Sequence, residues 1–347
     1  MTDAGTEKKT DAATVRVSPA ASIKGEITVP GDKSISHRAV MLGSIADGVT
    51  EVEGFLEGED NLSTIGAFRA MGVEIERPGA SMVRIFGRGM RGLAEPGDVI
   101  DAGNSGTTAR LLTGLLSAQS FYSVLTGDSS LRSRPMKRVV EPLRLMGATI
   151  TGRKGGSLLP LSISGGRLSG IEYKTPVASA QLKSALLLAG IYAGGRTVVM
   201  EPGKSRDHTE RMLRYFGAQV EVNGNATTVV STKALSGCKI IVPGDISSAA
   251  FFMVAAMITP ASGLLIKGVG INPTRVGIID ILRKMGGNME LLDEREECGE
   301  PVADMLVKSS SLRGVQITDE ELLPAIDEFP ILCVAAAFAD GTTAITG

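Results

Sequence analysis

Apolar and polar positions along the chain alternate between two kinds of helical pattern. One kind is apolar on nearly every face and opens with small polar residues; it covers Ala39–Ala46, Ala109–Ala118, Leu182–Ala193, Ala249–Ile258 and Phe329–Ala339. Such segments predict buried helices. The other kind is amphipathic, as in the Met136, Val139, Val140, Leu143 stripe, and closes on a repeated phrase: Met71-Gly72, Met146-Gly147, Phe216-Gly217 and Met285-Gly286. The closing glycine predicts a left-handed residue just past the helix end. Strand-like runs lie between the helices at 22–29, 82–86, 197–200, 227–230 and 239–242. The phrase recurs at intervals of about seventy residues, too long for a solenoid repeat. The expected fold is therefore α/β, built of α+β repeats whose apolar helices form the core. By the same periodicity a further amphipathic helix should follow the fifth apolar one; the chain reaches Gly347 without it.

The unusual polar residues collect where the apolar helices start. Pro30-Gly31 ends a strand-like run, and Asp32, Ser34 and Ser36 offer capping oxygens to the helix that follows. Lys33, Ser34 and Arg38 then lie in or near a first turn, where free N–H groups and the positive dipole end attract an anion. The second apolar helix opens with Asp101 to Arg110, in which Gly103 and Gly106 permit close backbone approach and Asn104, Ser105, Thr107 and Thr108 supply hydrogen-bonding groups. Arg132, Arg134, Lys137 and Arg138 crowd the next loop, and Pro135 in a first turn would put Arg134 at the cap. The third apolar helix opens Ala178-Ser-Ala-Gln-Leu-Lys183; capping explains Ser179 better than Gln181 or Lys183. Ser205 to Arg211 starts an amphipathic helix, with His208 expected as a surface or supporting group. Asp327-Glu328 precede the fifth apolar helix, either complementing its dipole or supplying a carboxylate base. Each start also reads as an ordinary capped or solvated helix end. Together they suit a substrate carrying several negative charges. The phosphate loop and the dinucleotide fingerprint are both missing from the sequence.

Composition narrows this picture. The 347 residues suffice for two domains, and a net charge of −2 argues against nucleic acid or an anionic membrane surface as partner. Cys238, Cys298 and Cys333 are scattered without metal or disulfide spacing, which points to a reducing cytoplasm. His37 and His208 are the only histidines, too few for a histidine-rich metal site. Residues 1–14 are polar and of mixed charge; they predict a disordered tail, unlike a signal or transit peptide. The apolar run 249–258 is too short to span a bilayer.

From about Val15 to Gly347 the chain resembles the 5-enolpyruvylshikimate-3-phosphate synthase (3-phosphoshikimate carboxyvinyltransferase) family. Residues 31–38 match the family's N-terminal signature, and Asn104 to Thr107, Arg134-Pro135 and Ser179-Ala-Gln181 fall in order where the family contacts substrate. Residues 31–34, 179–183, 206–210 and 272–275 resemble motifs of its glyphosate-tolerant class II. The resemblance implies a two-domain, inverse α/β barrel-like fold of βαβαββ units. Residues 15–30 plus 245–347 would form one domain and 31–244 the other. It also implies transfer of the enolpyruvyl group of phosphoenolpyruvate to the 5-hydroxyl of shikimate 3-phosphate, without metal or organic cofactor. Lys33, Ser34, Arg38, Ser179, Ala180, Gln181, Arg206 and Asp327 would bind shikimate 3-phosphate. Lys33, Gly106, Arg134 and Gln181 would hold phosphoenolpyruvate, with Asp327 and Lys33 catalytic. Glyphosate is the expected inhibitor and a cytoplasmic monomer the expected form. The enzyme acting on UDP-N-acetylglucosamine is the alternative, although it should carry Lys-Asn at Lys33-Ser34. The family's further C-terminal residues include a Lys-Glu-…-Arg stretch for phosphoenolpyruvate. On that ground the chain is expected to be truncated, essentially inactive and poorly stable, with uncovered apolar faces on the helices near Asp245 and Asp327. Residues 31–244 would fold and bind shikimate 3-phosphate weakly, as an anion-binding module.

Overall fold

The computed structural model describes residues 18–346. The expected tail 1–14 and the first residues of the expected domain 15–30 lie outside the described residues.

One sheet pattern recurs four times: a parallel pair at one edge, then an antiparallel ladder. Ile100–Asp101, Tyr122–Thr126, Leu158–Ser164 and Thr149–Gly152 stand side by side in that order, as do Glu172–Lys174, Arg196–Met200, Ala226–Val230 and Val220–Asn223. Both sheets are contiguous in sequence, each strand–helix–strand–helix–strand–strand. The other two exchange their entering strands. Lys24–Thr28 leads into the helix Lys33–Ser44 but pairs with Gly263–Gly270. Lys239–Ile241 leads into the helix Ile246–Ile258 but pairs with Asp47–Glu53. The chain thus passes twice between two apolar cores, one drawn from residues 35–242 and one from 246–335.

The two passing segments lie against each other. Asp32 N–H donates to the Pro243 carbonyl at 2.8 Å and Asp245 N–H to the Pro30 carbonyl at 2.9 Å. Gly31 allows this contact, since a Cβ there would sit 1.8 Å from the Gly54 oxygen. Both aspartates then cap helices: Asp32 Oδ1 accepts from Ile35 N–H, and Asp245 Oδ1 from Ser247 N–H. Arg275, 4 % exposed, lies between them. Its guanidinium is 3.6 Å from Asp32 Oδ2, 3.3 Å from Asp245 Oδ1 and 3.7 Å from Glu328 Oε1, and it donates to Ser247 Oγ at 2.7 Å. Burial alone would lower its pKa; the surrounding carboxylates outweigh that and raise it.

Most of the local pattern appears as the repeats predict. Gly72, Gly147, Gly217 and Gly286 all follow helix ends with positive φ. The helices Lys33–Ser44, Gly106–Ser117 and Ala180–Gly190 are buried beyond their first turns. The last two pack so closely that a Cβ on Gly114 would meet the Ala185 carbonyl at 2.1 Å. The other two apolar helices are only partly covered. Phe251 (56 % exposed) and Phe252 lie open on Ile246–Ile258, and Val334 on Phe329–Ala337, with Phe338 just beyond. Among the described residues no helix is long and apolar enough to cross a membrane.

Replacing Arg275 by alanine leaves carboxylates from three segments buried without their shared cation. The expected loss is roughly 3–5 kcal/mol of stability, read as a lower thermal midpoint. A variant melting with the parent would show that the cation is dispensable.

Candidate active site

The first turn of Lys33–Ser44 divides its polar residues. Lys33 reaches solvent, its side chain 48 % exposed and paired with Asp60, and Ser34 is half-buried. Arg38 turns inward. It donates from Nε to Thr209 Oγ1 at 2.6 Å, from Nη1 to the Ser34 carbonyl at 2.9 Å and from Nη2 to Ser184 Oγ at 2.8 Å, and burial lowers its pKa to about 10. It therefore ties the Lys33 turn to two other helices. His37 is also buried, its Nδ1 2.7 Å from Thr64 Oγ1; Thr64 leads through Thr108 to Ser105, the cap of Gly106–Ser117.

Gly106 opens that second helix, beneath two guanidiniums: a Cβ there would lie 2.9 Å from Arg110 Nη1 and 3.5 Å from Arg134 Nη1. Arg134 does not cap the helix that follows, contrary to the expectation from Pro135; it ends the 3-10 turn Leu131–Ser133. The helix begins at Lys137 with Met136 as cap, and Arg134, at φ −78° and ψ 139°, is extended. The proline ring keeps Arg134 extended, as a cap would also be, but Pro135 does not become the first helical residue and the helix starts only at Lys137. From there Arg134 donates to Asn104 Oδ1 at 2.6 Å and to the Asn104 carbonyl at 3.3 Å. Arg110 was not singled out from the sequence. It is buried, donates to Gln181 Oε1 at 2.7 Å, and burial with Arg138 and Arg134 nearby lowers its pKa to about 10. Its signal was a lone cation inside an apolar helix.

Gln181 joins this cluster to the next, since its Nε2 donates to Thr107 Oγ1 at 3.1 Å. Ser179 caps Ala180–Gly190, accepting from Leu182 N–H at 3.4 Å. Ser179, Ala180 and Gln181 form one lip of a cavity of about 250 Å³; Lys204, Ser205 and Arg206 form another, and Thr274 with Leu323, Pro324 and Ile326 closes it from the second core. Arg206 crosses the mouth to pair with Asp327. Asp327 lies exposed in a short 3-10 turn, Leu323–Glu328, ahead of the fifth apolar helix.

Of the two places expected for His208, the structure gives the supporting one, and it gives Lys183 the partners that capping did not explain. His208 is no surface group: it is 2 % exposed, and its Nδ1 lies 2.8 Å from Glu300 Oε1 of the other core. Glu300 Oε2 accepts from Asn272, which also donates to Asp207. Lys183 is buried beneath the cavity between Glu201 and Glu210.

The structure thus brings two anion-receptive helix starts together through Gln181, one beside Arg134 and Arg110 and one beside Arg206. The family model for EPSP synthase (3-phosphoshikimate 1-carboxyvinyltransferase) matches residues 17–347. A 3-phosphoshikimate 1-carboxyvinyltransferase of Pelobacter propionicus is 62 % identical over 331 residues, 95 % of this chain and 77 % of the relative. One of Geobacter metallireducens is 65 % identical over 330 residues, 95 % and 76 % of the two chains. The solved EPSP synthase from Acinetobacter baumannii superposes with a TM-score of 0.89 at 54 % identity, covering 94 % of this chain and 74 % of that one. The enolpyruvyl transferase NikO from Streptomyces tendae shares the fold, with a TM-score of 0.71 at 17 % identity over 94 % of this chain and 76 % of that one.

The buried His37 gives a pH prediction. Burial, with Lys33 and Arg38 nearby, lowers its pKa from 6.5 to about 3. Between those values the unfolded chain takes up a proton that the folded chain refuses. Stability from this group is whole above pH 6.5 and falls by about 1.4 kcal/mol per pH unit as pH drops toward 3. His37→Asn should therefore flatten the decline of the thermal midpoint between pH 6.5 and 4.5. Parallel curves for parent and variant would count against a neutral buried imidazole.

Proposed function

We propose a division of labour among the site residues on the premise that this chain belongs to the EPSP synthase (3-phosphoshikimate 1-carboxyvinyltransferase) family. The function is enolpyruvyl transfer from phosphoenolpyruvate to the 5-hydroxyl of shikimate 3-phosphate, with release of phosphate, in the shikimate pathway. The observation that carries the assignment of sites is the cavity between Ser179–Gln181 and Lys204–Arg206.

In this reading the free N–H groups of Ala180 and Gln181 and the guanidinium of Arg206 hold the phosphate of shikimate 3-phosphate, as a helix start beside a cation does for such anions. Ser34 is assigned to the same ligand, and Arg38 ties its turn to the helices of Ser184 and Thr209. Phosphoenolpyruvate lies against the start of Gly106–Ser117, between Lys33, Arg134 and Gln181. Entry of the phosphate takes Arg206 from Asp327 and frees that carboxylate to accept the 5-hydroxyl proton. The hydroxyl oxygen bonds to the enol carbon as its methylene takes a proton from water and becomes a methyl group; the tetrahedral adduct then gives one methyl proton back as its C–O bond to phosphate breaks, which restores the enol double bond and releases phosphate. Positioned proton transfer contributes about 10²–10⁴-fold, and placement and charge neutralisation supply the rest. We take the two apolar cores as the two domains, 15–30 with 245–347 and 31–244, supported by the separate buried clusters. The three free thiols accord with a cytoplasmic location.

Lys33→Ala should weaken both ligands by about tenfold or more in calorimetric titration, because one ammonium serves both. Arg134→Ala should weaken mainly phosphoenolpyruvate. Affinities unchanged for both ligands in Lys33→Ala would overturn the placement, and a loss confined to shikimate 3-phosphate in Arg134→Ala would reverse it.

Glyphosate tolerance of the class II kind is proposed from the four motifs at 31–34, 179–183, 206–210 and 272–275. Gly106 supports a place for the inhibitor against that helix start, since a methyl group there would press on Arg110 and touch Arg134. Gly106→Ala should reduce glyphosate affinity measured in the presence of shikimate 3-phosphate. Equal affinity in the two proteins would remove position 106 from the inhibitor's edge.

A further inference from the structure

Beneath the cavity lies a trio of buried acid and base side chains that no substrate can touch. The side chains of Lys183, Glu201 and Glu210 are 4 %, 3 % and 2 % exposed. Lys183 Nζ donates to Glu201 Oε2 at 2.8 Å, to Glu210 Oε1 at 2.8 Å and to the Ser205 carbonyl at 3.4 Å, so its three protons are all engaged. Glu201 reaches the two lips of the cavity at once. Its Oε1 accepts the Ser179 N–H at 2.9 Å and its Oε2 accepts the Ser205 hydroxyl at 2.9 Å. A carboxylate below an anion pocket opposes the anion by charge alone. Its presence there has to be repaid by geometry, and the geometry is that one group clamps the lip at 178–181 to the lip at 204–206.

We propose that Glu201, held by Lys183, is a positioning residue for shikimate 3-phosphate: it fixes the helix start at Ser179 against the Arg206 loop so that both converge on the phosphate. The inference rests on the reading of that pocket given above and adds what holds it in shape. Lys183 keeps its charge despite burial, which would lower its pKa, because Glu210 and Glu201 raise it further. Were the clamp removed, the Ala180 and Gln181 N–H groups would remain, but their distance from Arg206 would no longer be set.

The test compares shikimate 3-phosphate with shikimate, which lacks the phosphate, by calorimetry on the parent, Glu201→Gln, Glu201→Asp, Arg206→Ala and the Glu201→Gln/Arg206→Ala pair. Glutamine keeps an acceptor for the Ser179 N–H but loses the charge and turns an NH2 donor toward Ser205 and the Lys183 ammonium, which weakens the clamp at that end. Aspartate keeps the charge but is too short to span them, and it covers the case in which Glu201→Gln fails to fold. Loss of one charge-assisted hydrogen bond should weaken shikimate 3-phosphate by about tenfold or more. Shikimate should change by less than about twofold, and the paired variant should be little worse than Arg206→Ala alone, because the two act on one contact. Unchanged shikimate 3-phosphate affinity in both Glu201 variants, or equal losses for the two ligands, would overturn the proposal. If Arg206→Ala itself left shikimate 3-phosphate binding intact, the pocket reading would fail first and take the clamp with it.

Discussion

The molecule turns on the cation of Arg275, buried among carboxylates from the two places where the chain passes between its cores. Asp32 ends the first passage and Asp245 the second, and each also caps the helix that follows. The N–H of Lys33 lies 3.3 Å from Asp245 Oδ2, so the helix that presents Lys33 is held by a residue of the other core. Glu328, the third carboxylate, is the neighbour of Asp327. Removing charges from water is costly unless each finds a partner, so the position of one guanidinium constrains three backbone segments together. The cleft's walls inherit that constraint.

A second layer of buried charge orders the helix starts within the larger core. Arg38 reaches Thr209 and Ser184, Arg110 reaches Gln181, and Lys183 reaches Glu201 and Glu210. Each interrupts an otherwise apolar helix, and each spends its donors on another segment rather than on solvent. Apolar packing alone tolerates small rotations of one helix against another, because it is not directional. Hydrogen-bonded charges at fixed angles do not. The repeated sheet pattern sends each buried helix inward with the same polarity, so that its N-terminus faces the cleft; the buried cations set the angles at which those termini meet.

Contact between the cores across the cleft is of two kinds. His208, Glu300, Asn272 and Asp207 form a largely buried network, whereas Arg206 and Asp327 meet in an exposed pair at the mouth. His208, Asn272 and Glu300 are buried and tie the two cores together. The exposed pair is weakly held, since solvent screens it, and in the proposed reading the substrate phosphate competes for the same guanidinium.

What the sequence determined by itself was local. The glycines at 72, 147, 217 and 286 announce helix ends because positive φ is a property of one residue and its immediate neighbours. The apolar runs and the capping residues Asp32, Ser105 and Ser179 announce buried helices with receptive starts, because helical periodicity and capping act over a few positions. The rest was decided by tertiary structure. Met136, not Arg134, caps the helix after Pro135, and the Arg134 guanidinium rests on Asn104, thirty residues away. His208 went inside because Glu300 waits there, Arg110 became part of the site through Gln181, and Lys183 acquired its role from two glutamates. The exchange of Lys24–Thr28 for Lys239–Ile241 between sheets left no mark in either strand, since each carries an ordinary edge sequence. The energy of a buried charge or a parallel strand pair belongs to two distant segments at once, and a pattern read along one segment contains only half of it.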